Sequence, residues 1–209
     1  MKKLSLLLLT LVLVAGCATT MNTREVMQDS YLQGVQAYED YDYDKAFSLL
    51  KSAATAGNPN AQYLLAILYD FGRGTSTNHE EANVWYLKAA EQGQDDAQFN
   101  LAISYRRGEG IEQNHDMAVY WLGKAAANGD RDAMRVLVNE YSDTYPEAQY
   151  ALAHIYRDGI TLHNNLDMYP NEEDNQEIAP DAEEYRYWLK MAAENGHPEA
   201  MKELENLKP

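Results

Sequence analysis

Few residues of this chain are equipped for chemistry. Its five histidines, His79, His115, His154, His163 and His197, are scattered. His79 and His115 stand 36 residues apart in similar local contexts. Ordinary helix packing then separates them by roughly 10 Å, whereas zinc holds its ligands about 2 Å from one metal. The carboxylates Asp167, Glu172, Glu173, Asp174 and Glu177 crowd one segment. Calcium takes about six to eight oxygens, usually around a tight loop with a glycine, and no D-x-[DN]-x-[DN]-G pattern is present. G-x-S-x-G, H-E-x-x-H and Walker patterns are absent too. Carboxylate pairs abound, as they must with 33 acidic residues. No catalytic residue, metal site or cofactor is assigned, and the expectation is a protein that is not an enzyme. One reactive group remains, the thiol of Cys17, the single cysteine.

The residues before Cys17 say what that thiol is for. Lys2 and Lys3 are followed by an apolar run from Leu4 to Val14, broken only by Ser5 and Thr10, and then by Ala15, Gly16 and Cys17. A short apolar core with a basic flank and a small-residue end predicts a secretory signal over residues 1–16, too short to span a membrane as a mature helix. The segment resembles the lipobox of bacterial lipoproteins. That resemblance implies cleavage before Cys17, lipidation of Cys17 with palmitate-class chains, and a tether over residues 17–23. Several buried acyl chains make a stable anchor where one is marginal. The alternatives are an ordinary cleaved signal with a chance cysteine, or a retained membrane helix. Ala18, in place of Asp, resembles the outer-membrane address of Gram-negative lipoproteins and implies an anchor facing the periplasm.

With Cys17 assigned to lipid, no disulfide is available and packing alone must stabilise the fold. The full chain carries a net charge of −16. Removing residues 1–16 leaves 15 Lys and Arg against 33 Asp and Glu, a net charge of −18. This argues against nucleic acid as a partner and against contact with anionic lipid beyond the anchor. Solubility explains the charge most simply; a basic protein partner is the sharper explanation.

The elements that must position these residues repeat. A shift of 36 lays Ala61-Gln62 on Ala97-Gln98, Tyr69 on Tyr105, Gly72 and Gly74 on Gly108 and Gly110, Trp85 on Trp121, and Ala89-Ala90-x-x-Gly93 on Ala125-Ala126-x-x-Gly129. Each unit reads as two helices. In residues 60–71, Ala61, Leu64, Leu65, Leu68 and Tyr69 recur at helical spacing, and Gly72 ends the helix. A second helix runs from His79 to about Gln92, packing through Ala82, Trp85, Leu87 and Ala89-Ala90, and stops at Gly93. The stretches WYLKAAEQGQDDAQFNLAISYRRGEG and YWLGKAAANGDRDAM resemble Sel1-like repeats, relatives of the tetratricopeptide repeat. The resemblance runs from about residue 31 to 207. It implies an all-α solenoid of stacked antiparallel helix pairs with a right-handed superhelical sense, occupying residues 24–209. One helix pair cannot bury its apolar face alone, so stacking must supply the core.

Three departures stand out. The first unit, near Tyr31 to Gly57, lacks the Gly-x-Gly loop. At 131–158 two first-helix patterns begin only 15 residues apart, at Ala133 and Ala148, so one unit has lost its second helix or uses 146–157 in its place. An acidic insertion occupies about 160–180. Of the 16 tyrosines, Tyr69, Tyr105 and Tyr156 fall at core positions. The opposite faces of the first helices carry Tyr63, Ile67 and Asp70; Phe99, Ile103 and Arg106; and Tyr150, His154 and Arg157. First helices line the concave surface in the family resembled. These nine residues are therefore the candidate partner-binding set, since aromatics and arginine are favoured at interface hot spots. The expected function is a membrane-tethered interaction scaffold. The rivals are an immunity lipoprotein that neutralises a toxin from competing bacteria, and a hydrolase of peptidoglycan or β-lactams.

Overall fold

The computed structural model describes residues 28–163 and 176–207. Cys17, the signal and tether, and Asp167, Glu172, Glu173 and Asp174 of the insertion lie outside the described residues. The chain divides into two compact units, meeting in sequence at Asn78 and His79.

The first unit holds α1 (residues 28–39), α2 (Tyr43–Thr55) and α3 (Pro59–Phe71). Small residues bring them together: Ala37, Ala46, Ala53, Ala54, Ala61 and Ala66 are buried with Leu50, Leu64, Leu65 and Leu68. Gly34 belongs to this set, because a Cβ there would sit 2.8 Å from Leu50 Cγ. Asn58 caps α3 by accepting the Ala61 N–H at 2.9 Å, with Pro59 in the first turn where its missing N–H costs nothing. Gly72 takes the left-handed cap at φ 63°, and Gly74 lets its loop lie on the start of α2, where a Cβ would overlap the Tyr43 carbonyl.

The second unit holds α4 (His79–Glu91), α5 (Asp95–Arg107), α6 (His115–Ala127), α7 (Arg131–Val136), α8 (Pro146–Asp158), β1 (Ile160–Leu162), β2 (Gln176–Ile178), α9 (Ala182–Glu194) and α10 (Pro198–Asn206). Each helix packs on its neighbour, α4 on α5, α5 on α6, α8 on α9 and α9 on α10, while α6 meets both α7 and α8. The recurring Ala-Gln pair acquires a physical meaning. Gln98 is buried, donates to the Ala90 carbonyl at 3.1 Å and accepts from Asn128 Nδ2 at 3.1 Å. Gln149 likewise donates to the Ser142 carbonyl at 2.7 Å and accepts from Asn195 Nδ2 at 2.9 Å. In the first unit Gln62 donates to the Ala54 carbonyl at 3.1 Å. A buried amide so clamped ties each first helix to the element before it.

At 131–158 the extra piece is a single helix. α7 runs on through a π-helical turn, Leu137–Tyr141. α8 is not its second helix, since α8 pairs with α9. The insertion between α8 and α9 leaves the repeat geometry intact. The Asp181 N–H donates to the Tyr156 carbonyl at 2.7 Å, just as Asn114 donates to Tyr105 at 2.9 Å and Asn78 to Tyr69 at 2.8 Å. β1 and β2 pair antiparallel at its base, Ile160 opposite Ile178. Of the expected core tyrosines Tyr69, Tyr105 and Tyr156, Tyr156 packs against the buried cluster around Leu189 and Ala192, and Tyr69 meets the Phe47 ring edge-on. All three are half-buried. Their backbone carbonyls take the conserved-in-geometry bond, while the buried phenols belong to Tyr86, Tyr141 and Tyr185.

Candidate functional site

Among the described residues of the second unit, one cleft takes the α5 triad drawn from the sequence and another takes two residues of the α8 triad. The first, about 440 Å³, lies between α5 and the α7 helix with its π turn. α5 offers Phe99 and Ile103, both half-buried, and Arg106; Asn139 and Glu140 come from the π turn. Arg106 Nη1 donates to both Glu140 oxygens, at 2.6 and 2.7 Å. That pair spans the cleft, with Glu140 about half exposed at 48% of its side chain. An ion pair so open to water contributes little stability, about 0–1 kcal/mol, and exchanges readily for another carboxylate. Arg107 and Arg135 stand at the rim, paired with Glu109 at 3.7 Å and Asp132 at 2.6 Å.

The second cleft, about 250 Å³, is lined by Gly123 and Ala127 of α6 and by Tyr150, Ala151, His154 and Ile155 of α8. Here the α8 triad is already engaged within the chain. Glu203, on α10, accepts from Tyr150 at 3.2 Å, Tyr185 at 2.9 Å and Arg157 at 3.3 Å, and lies 3.3 Å from His154 Nε2. His197 stacks on the Tyr150 ring with centroids 4.1 Å apart. Burial pushes the Glu203 carboxyl up, but the hydrogen bond from Tyr185 and the charge of His154, helped by Tyr150 and Arg157, outweigh it and hold the group below its usual value. Burial and Glu203 together push the Tyr185 phenol up to about 12. Burial, then the charge of Arg157, lowers the His154 imidazole against the opposing pull of Glu203.

The structure thus brings Phe99, Ile103 and Arg106 together in one cleft and Tyr150 and His154 together in another, with Arg157 joined to the latter pair through Glu203 and not lining the cleft. Tyr63, Ile67 and Asp70 are half-buried on α3 of the first unit. Sequence spacing did not reveal Asn139 or Glu140, because nothing in the repeat marks a π turn. His115 Nδ1 meets the buried Tyr141 hydroxyl at 3.0 Å.

The pattern of the Sel1 repeat matches residues 29–58, 59–94, 95–130, 146–165 and 178–197, leaving out α7 and its π turn. The chitin synthase regulator SKT5 of Saccharomyces cerevisiae is 41% identical over 59 residues, 28% of this chain and 8% of that protein. Among solved structures, a Sel1 repeat protein from Oxalobacter formigenes is 26% identical at a TM-score of 0.46, covering 79% of this chain and 49% of that one. Cysteine rich protein B of Helicobacter pylori is 21% identical at a TM-score of 0.43, covering 53% and 93%. The chain thus spans a small part of the curated relative and about half of the first structure.

Proposed function

Because the chain belongs to the Sel1 repeat family, whose members generally act as protein–protein interaction scaffolds, we propose that it holds a segment of a protein partner in the cleft between α5 and α7. The observation that carries this reading is the cleft's make-up. Phe99 and Ile103 offer a half-buried apolar floor, Asn100 and Asn139 offer amides that can bond an extended backbone, and Arg106 is held across the opening by an exchangeable carboxylate. An apolar side chain of the partner would seat on Phe99, and a partner carboxylate would replace Glu140 on Arg106. The work is binding alone, by a preformed surface whose side chains lose little freedom on contact.

The lipobox-like sequence supports placing this scaffold in the bacterial envelope, anchored through Cys17 and facing the periplasm. The net charge of −16 favours one narrower form of the reading, an immunity protein that captures a basic toxin with fast, salt-sensitive association.

The test is a crosslinked capture from intact envelopes with C-terminally tagged protein, followed by mass spectrometry. Phe99→Ala and Arg106→Ala should each weaken recovery of the partner about tenfold or more, with Tm moving by no more than a few degrees. Unfolding of Phe99→Ala would mean that Phe99 is core. Undiminished recovery with a folded Arg106→Ala would remove the cleft from the reading. A partner encoded next to this gene would select the immunity form.

A further inference from the structure

The turn between α1 and α2 reads Tyr38-Glu39-Asp40-Tyr41-Asp42-Tyr43-Asp44, three phenols interleaved with four carboxylates and no base. At its centre Tyr41 has φ 63°, the one non-glycine residue with positive φ among those described. A bulky side chain in that region is strained. The consequence is a phenol ring thrust outward, 77% exposed. Phe71, at the end of α3, is a second ring turned to solvent, 62% exposed. Neither exposure helps the core, and exposed aromatics gathered in one place mark interaction surfaces.

The patch already shows which chemistry it accepts. The Arg73 guanidinium lies 5.2 Å from the Phe71 ring centre, 5.4 Å from Tyr43 and 5.7 Å from Tyr38, and it donates to the Tyr38 hydroxyl. These are cation–π distances. The loop carrying Arg73 is fixed by the close fit of Gly74 on the Tyr43 carbonyl. Tyr41 continues the same aromatic surface, edge-on to Tyr43 with centroids 6.1 Å apart. Of the carboxylates around it, Asp40 accepts from Gln36 at 3.2 Å, Asp42 caps α2, and Asp44 stands exposed in the first turn of α2.

We infer that the surface formed by Tyr41, Phe71, Asp40 and Asp44 docks a basic segment of a protein partner, with arginine or lysine heads resting on the two exposed rings and pairing with the two carboxylates. The inference rests on the reading of the chain as a protein-binding module and adds a second site, in the first unit, with a stated partner chemistry. Flat rings and exposed carboxylates beside an internal guanidinium match another guanidinium; phosphate-bearing partners would be repelled.

The test uses the full chain and three fluorescein-labelled dodecapeptides of alternating glycine with arginine, lysine or glutamate, titrated by anisotropy. The arginine peptide should bind, the lysine peptide more weakly, and the glutamate peptide not at all. Tyr41→Gly combined with Phe71→Ser leaves the net charge unchanged and should weaken binding of the arginine peptide about tenfold or more, while Tyr41→Gly alone, relieved of strain, should keep or raise Tm. Asp40→Asn with Asp44→Asn should flatten the salt dependence and keeps the inference testable if the ring variant loses its fold. No binding by wild type, or equal binding by the folded ring variant, would overturn the site, the latter assigning the attraction to net charge alone. Envelope capture separates this site from the cleft. A partner lost with Phe99→Ala or Arg106→Ala but retained by the ring variant sinks the docking patch and leaves the scaffold reading standing. A partner retained by every variant sinks both.

Discussion

Asp96 shows how one residue can carry a cost that the repeat spacing hides. It sits in the first turn of α5, accepts from Gln94 at 2.8 Å, and faces Asp95, Asp130 and His163. Burial pushes its carboxyl up to about 6; the Gln94 hydrogen bond opposes this, Asp95 and Asp130 add to it, and His163 subtracts. A folded-state value above the unfolded one means that the fold favours the protonated acid. The penalty of ionising it is absent near pH 3.8, grows as pH rises to about 6, and is complete above. Asp96→Asn should therefore stabilise the protein at pH 7 by on the order of 1–2 kcal/mol, with the gain vanishing near pH 4. Denaturant melts of both proteins across pH 4–7 check this; a constant difference over that range would refute it. The sequence shows Asp95-Asp96 at a helix start, which reads as favourable to the helix dipole. The opposing effect, burial under the 129–131 loop and the His163 end of β1, is invisible there. His163 is set in place by its N–H donating to the Gly129 carbonyl at 2.8 Å and by its carbonyl accepting from Arg131 at 3.2 Å.

Among the elements, α10 is bound into the array by its own cap and side chains. Its first residues follow the first-helix pattern, with His197 capping the helix through the Ala200 N–H at 3.2 Å and Pro198 in the first turn. Glu203 then fastens α10 to α8 and α9 through Tyr150, Arg157 and Tyr185. Glu203→Ala should destabilise the second unit by about 1–3 kcal/mol, since it strips acceptors from partly buried phenols, and should speed amide exchange in α10 before α8. Exchange at α10 unchanged from wild type would show that apolar packing of Ala200 and Leu204 holds the helix alone. α7 with its π turn is the counterpart inside the array. Its start has a side-chain cap and a following alanine like those of α3 and α5, Asp130 accepting from Ala133 at 2.8 Å where Asn58 and Gln94 cap those helices, so it reads as an ordinary first helix. Its end departs from that pattern and supplies Asn139 and Glu140 to the cleft. π turns of this kind recur at functional sites, and no residue type announces one.

For the whole molecule, the proposed anchor decides where these surfaces meet their partners. On that reading wild-type protein takes up labelled palmitate and sediments with outer membranes, whereas Cys17→Ser does neither. Membrane sedimentation of Cys17→Ser, or no palmitate on wild type, would overturn the anchor. Helix pairs, their glycine C-terminal ends and their 36-residue period were legible in the chain, because each depends on residues a few positions apart or one repeat away. Ala53-Ala54, Ala89-Ala90 and Ala125-Ala126 must pack closely wherever they recur, and Gly72 and Gly108 must end helices. The aromatic and charged faces of α5 and α8 were legible for the same reason. Tertiary structure alone decided that those faces open into separate clefts, that Glu203 engages the α8 triad, and that Arg73 lies among Tyr38, Tyr43 and Phe71. Those contacts join residues from elements whose offsets the repeat does not set, so their pairing is fixed by how the helices pack and by which side chains burial leaves facing one another.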